Sequence, residues 1–575
     1  MNFKNIFIII IFILIGCKGN NSINFLKVTP VEIIFPKEGG SFDLLIETDA
    51  SEWRIENPSS WILLSSNTGK SQKDIIKVSV NTKTIVERID TLTVFSGNAK
   101  PVKVIIKQEA SEYIYNLSTD KNKLDFSKKG GTVTFNLYTD ANEWIIYTDV
   151  SWLSISPNNG IAGNYKIYVT AGNNDSEEDR QCKINIQAQY TQTLEIVVNQ
   201  AGQYFPSYNI TPLPPDTIGM KSNARQIIEK IKIGWNLGNN LEAIGGETAW
   251  GNPIVTKDLI NLVKKSGFNA IRIPCSWYQY MVDVNTAEIK KSWLTRVKEV
   301  IQYCYDNDMY VILNIHWDGG WLENNCNKEK LSEVKARQKA FWEQIATFMR
   351  DYDEHLLFAS ANEPNVSDAT QMSVLNTYHQ AFIDAVRSTG GKNYYRVLVI
   401  QGPSTDIEKT YNLMNNLPKD VVDDRLVVEV HYYTPYQFCL MTEDANWGKM
   451  FYFWGKDYHS VTMPDRNATW GEESTMCSLF EMMKTKFVDK GIPVIIGEFA
   501  VIKRTNLTGE DLNLHLCSRA YYLKYLTQQS KNYGIVPFYW DAGNMGDHSS
   551  ALFNRFNKTV YDSIALKALM EGIEN

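Results

Sequence analysis

From about residue 224 onward the chain alternates short apolar runs with amphipathic stretches, and it does so eight times. The runs are Ile231–Leu237, Ala270–Pro274, Tyr310–His316, Leu356–Asn362, Val397–Gln401, Leu426–Tyr432, Pro493–Glu498 and Ile535–Trp540. Segments of helical period separate them, such as Lys257–Ser266, Trp293–Asp306, Ser332–Arg350, Leu375–Arg387, Met476–Lys490 and Asn513–Lys531. Each run is almost continuously apolar, the pattern of a parallel strand covered on both faces. Eight such units in roughly 350 residues predict an α/β fold, a (β/α)8 TIM barrel with large loops, whose active site lies at the C-terminal ends of the strands.

Those ends are where the ionisable residues stand. The second run closes in Arg272-Ile273-Pro274, the third in His316-Trp317-Asp318 and the fourth in Asn362-Glu363-Pro364. The sixth closes in His431-Tyr432-Tyr433, the seventh in Gly497-Glu498-Phe499 and the eighth in Tyr539-Trp540-Asp541. One charged residue at a strand end has an ordinary reading as a structural ion pair. Six polar ends converging on one rim point to function, because burying such groups is costly without a purpose. Runs four and seven set two carboxylates across the barrel mouth, and paired carboxylates are the machinery of glycoside hydrolysis. No metal-binding spacing and no phosphate loop competes for the site, so the expected cofactor and metal are none.

The combination is specific. Asn362-Glu363-Pro364 with Ile496-Gly497-Glu498-Phe499 resembles glycoside hydrolase family five. Gly234-Trp235-Asn236-Leu237-Gly238-Asn239 followed by Thr248-Ala249-Trp250-Gly251-Asn252-Pro253 resembles its subfamily four, and Asn314-Ile315-His316-Trp317-Asp318-Gly319-Gly320-Trp321 and His431-Tyr432-Tyr433-Thr434-Pro435 agree. Asn240 departs from the pattern, where a Thr is common. The resemblance covers about 224–575 and implies a retaining endo-β-1,4-glucanase acting on plant cell-wall glucans, xyloglucan first. A broad-specificity endoglucanase on mixed-linkage or unbranched β-glucan is the alternative. A mannanase or xylanase, or a non-catalytic glycan-binding lipoprotein, comes after it. It implies Glu363 as general acid and then base, with a raised pKa so that it keeps its proton. It implies Glu498 as an ionised nucleophile held by Arg272 and Tyr433. Asn362 would bind the sugar 2-hydroxyl, His316 and His431 would orient the carboxylates and that sugar, and Trp540 would form the stacking floor. Trp250, Trp317, Trp321 and Asn239 are further substrate-binding candidates, and Trp447, Trp454 and Trp470 further cleft aromatics.

The residues before 204 repeat themselves with an offset of 91. Gly39-Gly40, Thr48-Asp49-Ala50, Trp53, Trp61 and Gly69 recur as Gly130-Gly131, Thr139-Asp140-Ala141, Trp144, Trp152 and Gly160, and 13 of 31 positions in 39–69 and 130–160 are identical. Period-two alternation predicts strands, so 27–111 and 112–203 are expected to form two all-β, immunoglobulin-like sandwich domains. The pattern resembles the BACON module, which often precedes glycan-degrading enzymes and whose name suggests carbohydrate binding. The four Trp read more readily as core than as sugar platforms. Four prolines in 203–223 mark 204–223 as a stiff linker to a catalytic domain over 224–575.

The front end is a processing signal. Lys4 precedes the apolar run Ile6–Ile15, too short to span a bilayer, and Gly16-Cys17 follows. This resembles a bacterial lipoprotein signal over 1–16. Cys17 would carry the lipid, with 17–26 as a tether, on the outer membrane facing the cell surface. The eight Cys form no CxxC pair; only a bridge between Cys326 and Cys439 is left open. A net charge of −7 without a basic run excludes nucleic acid as a partner. The partners expected are polysaccharide and a membrane, and the state a monomer.

Overall fold

The computed structural model describes residues 22–80, 84–176 and 178–574, so Cys17 and the signal lie outside the described residues. The chain divides into a unit ending at Gly202 and one beginning at Gln203.

The first unit holds two sandwiches of one design. In the first, Leu26–Thr29, Gly40–Thr48, Lys73–Val80 and Leu63–Leu64 make one sheet. Glu32–Phe35, Val102–Gln108, Arg88–Ser96, Trp53–Glu56 and Thr68–Gly69 make the other. The second repeats this order, down to the parallel pairing of Lys123–Phe126 with Leu194–Gln200 that matches Glu32–Phe35 with Val102–Gln108. Alternate residues of the facing sheets fill each core. Trp53 and Trp144 are core residues. The repeated glycines exist for them: a Cβ on Gly69 or Gly160 would stand 2.3 or 2.7 Å from the indole of Trp53 or Trp144. Trp61 and Trp152 are half-buried, each with an arginine over its ring, Arg88 at 4.7 Å and Arg180 at 4.3 Å.

In the second unit eight parallel strands close into a barrel: β1 Gly234–Leu237, β2 Ala270–Ile273, β3 Tyr310–Asn314, β4 Leu356–Ala359, β5 Leu398–Gln401, β6 Leu426–His431, β7 Val494–Phe499 and β8 Ile535–Asp541. Each is buried along almost its whole length. β3 and β4 end two or three residues earlier than the apolar runs suggest, at Asn314 and Ala359. His316, Asn362 and Glu363 therefore stand past the ends of β3 and β4, in the segments that follow them.

The proline-rich segment, read from the sequence as a stiff linker, is bonded along the barrel instead. The carboxylate of Glu343, in the helix Leu331–Phe348, accepts the Tyr208 N–H at 2.7 Å. Arg350 donates to the Thr211 carbonyl at 2.9 Å, and Leu213–Pro215 pairs in parallel with Gly390–Gly391. The segment is a strap on the barrel, fixed by the hydrogen bonds its own backbone needs.

Candidate active site

Arg272 organises the barrel mouth. It is fully buried on β2. Nη1 donates to Glu498 Oε1 at 2.9 Å and Asn236 Oδ1 at 3.0 Å, and Nη2 donates to Asn362 Oδ1 at 2.7 Å. Nε lies 2.8 Å from Glu429 Oε1. Burial works against the charge, and the carboxylates of Glu429 and Glu498 outweigh it, so the guanidinium binds its proton more tightly than usual. One planar, permanently charged side chain thus positions residues from β1, β6, β7 and the end of β4.

Glu498 reaches the mouth through a local irregularity. Val430 pairs with Ile496 but His431 with Glu498, which leaves Gly497 as an extra residue on β7. Such a bulge re-aims the following side chain. Only glycine fits there, because a Cβ would lie 1.8 Å from Glu429 Oε1. Glu498 then accepts from Arg272 and, through its second oxygen, from the Tyr433 hydroxyl at 3.0 Å.

Glu363 faces Glu498 with its side chain 44% exposed, and its contact is with His431, whose Nδ1 lies 2.7 Å from Glu363 Oε1 and 3.7 Å from Glu498 Oε2. His431 Nε2 lies 3.2 Å from Glu429 Oε1. Oxygens of Glu363 and Glu498 and a nitrogen of His431 all fall within 4.8 Å of one another. That is the short-gap arrangement of retaining enzymes, with no room for a water between sugar and base.

Charge distribution corrects one expectation. Burial alone would strip His431 of its proton, but Glu498, Glu363 and Glu429 push it up to about 10. Glu363, Glu498, Glu429, His431 and Arg272 act on one another's charge, so the carboxylates here titrate as an interacting group. Burial pushes Glu498 above its ordinary range against the opposing pull of His431 and Arg272. At Glu363 burial also pushes up, yet the His431 hydrogen bond and charge prevail and hold it below its ordinary range. The rise expected at Glu363 is therefore not what the site produces: the His431 hydrogen bond and charge outweigh burial there.

The remaining candidates divide. Asn362 is placed by Arg272, leaving its amide free for a sugar hydroxyl. His316 touches neither carboxylate: it lies 3.2 Å from the Asn314 amide and stacks on Trp540, centroids 5.7 Å apart at 11°. Burial, then the charges of Arg272 and His431, hold it well below the usual histidine range, so it is a neutral buttress for the Trp540 floor. Gly238 lets that floor lie close, since a Cβ there would be 2.8 Å from the indole. Asn239 shapes the loop after β1 with φ 60°, its N–H bonded to the buried Glu242 and its carbonyl accepting from Asn252 at 3.0 Å. Asn240, the departure from the family pattern, bridges the Pro253 carbonyl and Arg555. Trp250, Trp317, Trp447 and Trp470 are 45% to 65% exposed and available for stacking. Trp321 and Trp454 are buried and are corrected to packing roles, their indoles bonded to Asp318 at 3.0 Å and the Gly471 carbonyl at 2.8 Å. Cys326 and Cys439 are both free: the first bonds the Leu322 carbonyl, the second the Tyr522 hydroxyl.

Two residues of the site lie inside strands, where a reading of strand ends misses them: Asn236 and Glu429. Glu429 precedes His431 by two on β6, so period two puts both on one face. Gln401 donates to it at 2.5 Å. A buried Glu in an otherwise apolar strand was the available signal.

The sequence profile described as "Cellulase (glycosyl hydrolase family 5)" matches residues 236–546, and that of the "Viral BACON domain" matches 116–203. The xyloglucan-specific endo-β-1,4-glucanase BoGH5A of Bacteroides ovatus is 34% identical over 476 residues, 80% of this chain and 91% of that protein. Endoglucanase A of Paenibacillus barcinonensis is 36% identical over 375 residues, 61% of this chain and 90% of that one. A solved structure of the Bacteroides ovatus family 5 xyloglucanase in complex with an XXXG heptasaccharide superposes with a TM-score of 0.60 at 32% identity, over 80% of this chain and all of that one.

Proposed function

The chain belongs to glycosyl hydrolase family 5, and on that premise we propose that it is a retaining endo-β-1,4-glucanase whose preferred polymer is xyloglucan. The observation that carries the mechanism is the Glu363–Glu498 pair, with carboxylate oxygens within 4.8 Å of each other. Glu498 attacks the anomeric carbon while Glu363 protonates the departing glycosidic oxygen. The bond between sugar and oxygen breaks as the bond to Glu498 forms. Water then attacks the glycosyl–enzyme, gives its proton to Glu363, and releases the sugar with its original β-configuration. A glucan chain laid over the mouth dries the exposed face of Glu363. That desolvation favours the protonated form of Glu363, the form the leaving oxygen needs. Trp540 carries the sugar at the cleavage point, and Asn362 meets its 2-hydroxyl.

Xyloglucan is favoured because the relative that matches both the barrel and the preceding region is named for that polymer. The alternative, a broad-specificity endoglucanase, is supported by the endoglucanase that matches the barrel alone. Initial rates on xyloglucan, mixed-linkage β-glucan, carboxymethyl cellulose and mannan, with products sized, separate the readings. Xyloglucan cut fastest into short branched oligosaccharides is expected. Equal rates on the three glucans would replace the first reading by the second, and activity on mannan alone would remove both.

The Gly16-Cys17 pattern supports a lipid anchor on the bacterial envelope, with the outer membrane facing the cell surface as its place. Cys17→Ala is expected to move the protein from the detergent phase to the aqueous phase without changing its turnover. Retention in the detergent phase would refute the anchor.

A further inference from the structure

The loop after β3 sends one more acid toward the site. Glu323 begins the short 3-10 turn Glu323–Asn325 and is 5% exposed. One of its carboxylate oxygens accepts the backbone N–H of Glu363 at 2.6 Å, and its own carbonyl accepts the N–H of Asn365 at 3.0 Å. Pro364 between them has no N–H, so these two bonds take the available donors of that stretch. Glu323 therefore clamps the turn that carries Glu363 from a different loop. A neutral acceptor would satisfy the same N–H without the cost of burying an acid beside other acids. Glu363 from the end of β4, His431 from β6, Glu498 from β7 and the Cys326 thiol of its own turn share its electrostatic surroundings.

We propose that Glu323 is a positioning residue for Glu363: it fixes the backbone of the acid/base and, through its negative charge, helps Glu363 keep a proton. The inference rests on the acid/base role of Glu363 given above. Burial first, then the charges of Glu363 and Glu498, push Glu323 up to about 7 against the Glu363 N–H and His431. His431 and Glu323 then act on Glu363 with opposite signs.

Glu323→Gln and Glu323→Ala in the full chain test this on soluble β-glucan and on 2,4-dinitrophenyl β-cellobioside. Gln keeps the acceptor and loses the charge, so the alkaline limb of kcat/KM on polysaccharide is expected to move down by about 0.5 unit or more. Ala loses the clamp as well. Its kcat on polysaccharide is expected to fall about 10-fold or more with KM little changed, while its dinitrophenolate burst persists, because that leaving group needs no acid. An unshifted pH profile in Gln, or equal loss on both substrates in Ala, overturns the proposal. A wild-type protein inert on every β-glucan refutes the glucanase reading instead.

Discussion

His431 Nδ1 lies 2.7 Å from a carboxylate oxygen of Glu363, so the proposed acid/base is in direct contact with a buried histidine. Replacing His431 by Gln removes the positive charge that holds Glu363 down. The alkaline limb of kcat/KM is expected to rise by about 1 unit, with a slower maximum rate, opposite in sign to the shift from Glu323→Gln. Stability follows the same linkage. His431 binds its proton more tightly folded, at about 10, than its ordinary 6.5. Its contribution is fully present below pH 6.5 and is lost as pH rises through 10. The barrel transition in wild type should therefore fall more steeply across that range than in the variant. Parallel slopes would show that His431 is not charged at rest.

Glu363→Gln tests the acid. Hydrolysis of polysaccharide is expected to fall by about 10²–10⁴-fold, while an activated aryl glycoside still forms the glycosyl–enzyme. Rapid quench on both substrates checks it. Equal loss on the two would assign Glu363 another task.

Glu498 is the expected point of covalent attachment. A 2-fluoro-cellobioside inactivator should label Glu498 and no other residue by peptide mass. Early products seen by proton NMR should be the β-anomer. First release of the α-anomer would contradict the short carboxylate gap.

Arg272→Met leaves the buried Glu429 and Glu498 with His431 as their remaining cation. A loss of about 3–5 kcal/mol is expected, as when one partner of a buried ion pair is removed. In calorimetry the barrel transition should move down while the sandwich transitions stay. An unmoved barrel transition would mean that the two carboxyls accept protons at little cost.

The sequence by itself determined the barrel, the sandwich pair and the principal candidate residues of the site. Strands covered on both faces must be apolar throughout, so an ionisable residue at the end of such a run stands out without any knowledge of its neighbours. Arg272, Glu363, His431, Tyr433 and Glu498 were legible for that reason, and the offset of 91 exposed the paired modules in the same local way. Only the tertiary structure decided what depends on distance between residues remote in the chain. Glu429 and Asn236 join the site because Arg272 reaches them from a neighbouring strand or across the barrel. Trp321 and Trp454 leave the cleft because loops without a sequence period fold them inward. The segment after Gly202 is a strap because Glu343 and Arg350 happen to meet its backbone. The resting charge of Glu363 runs opposite to expectation because it reflects a balance of burial against His431, and such a balance is set by a few ångströms of separation that no one-dimensional pattern encodes.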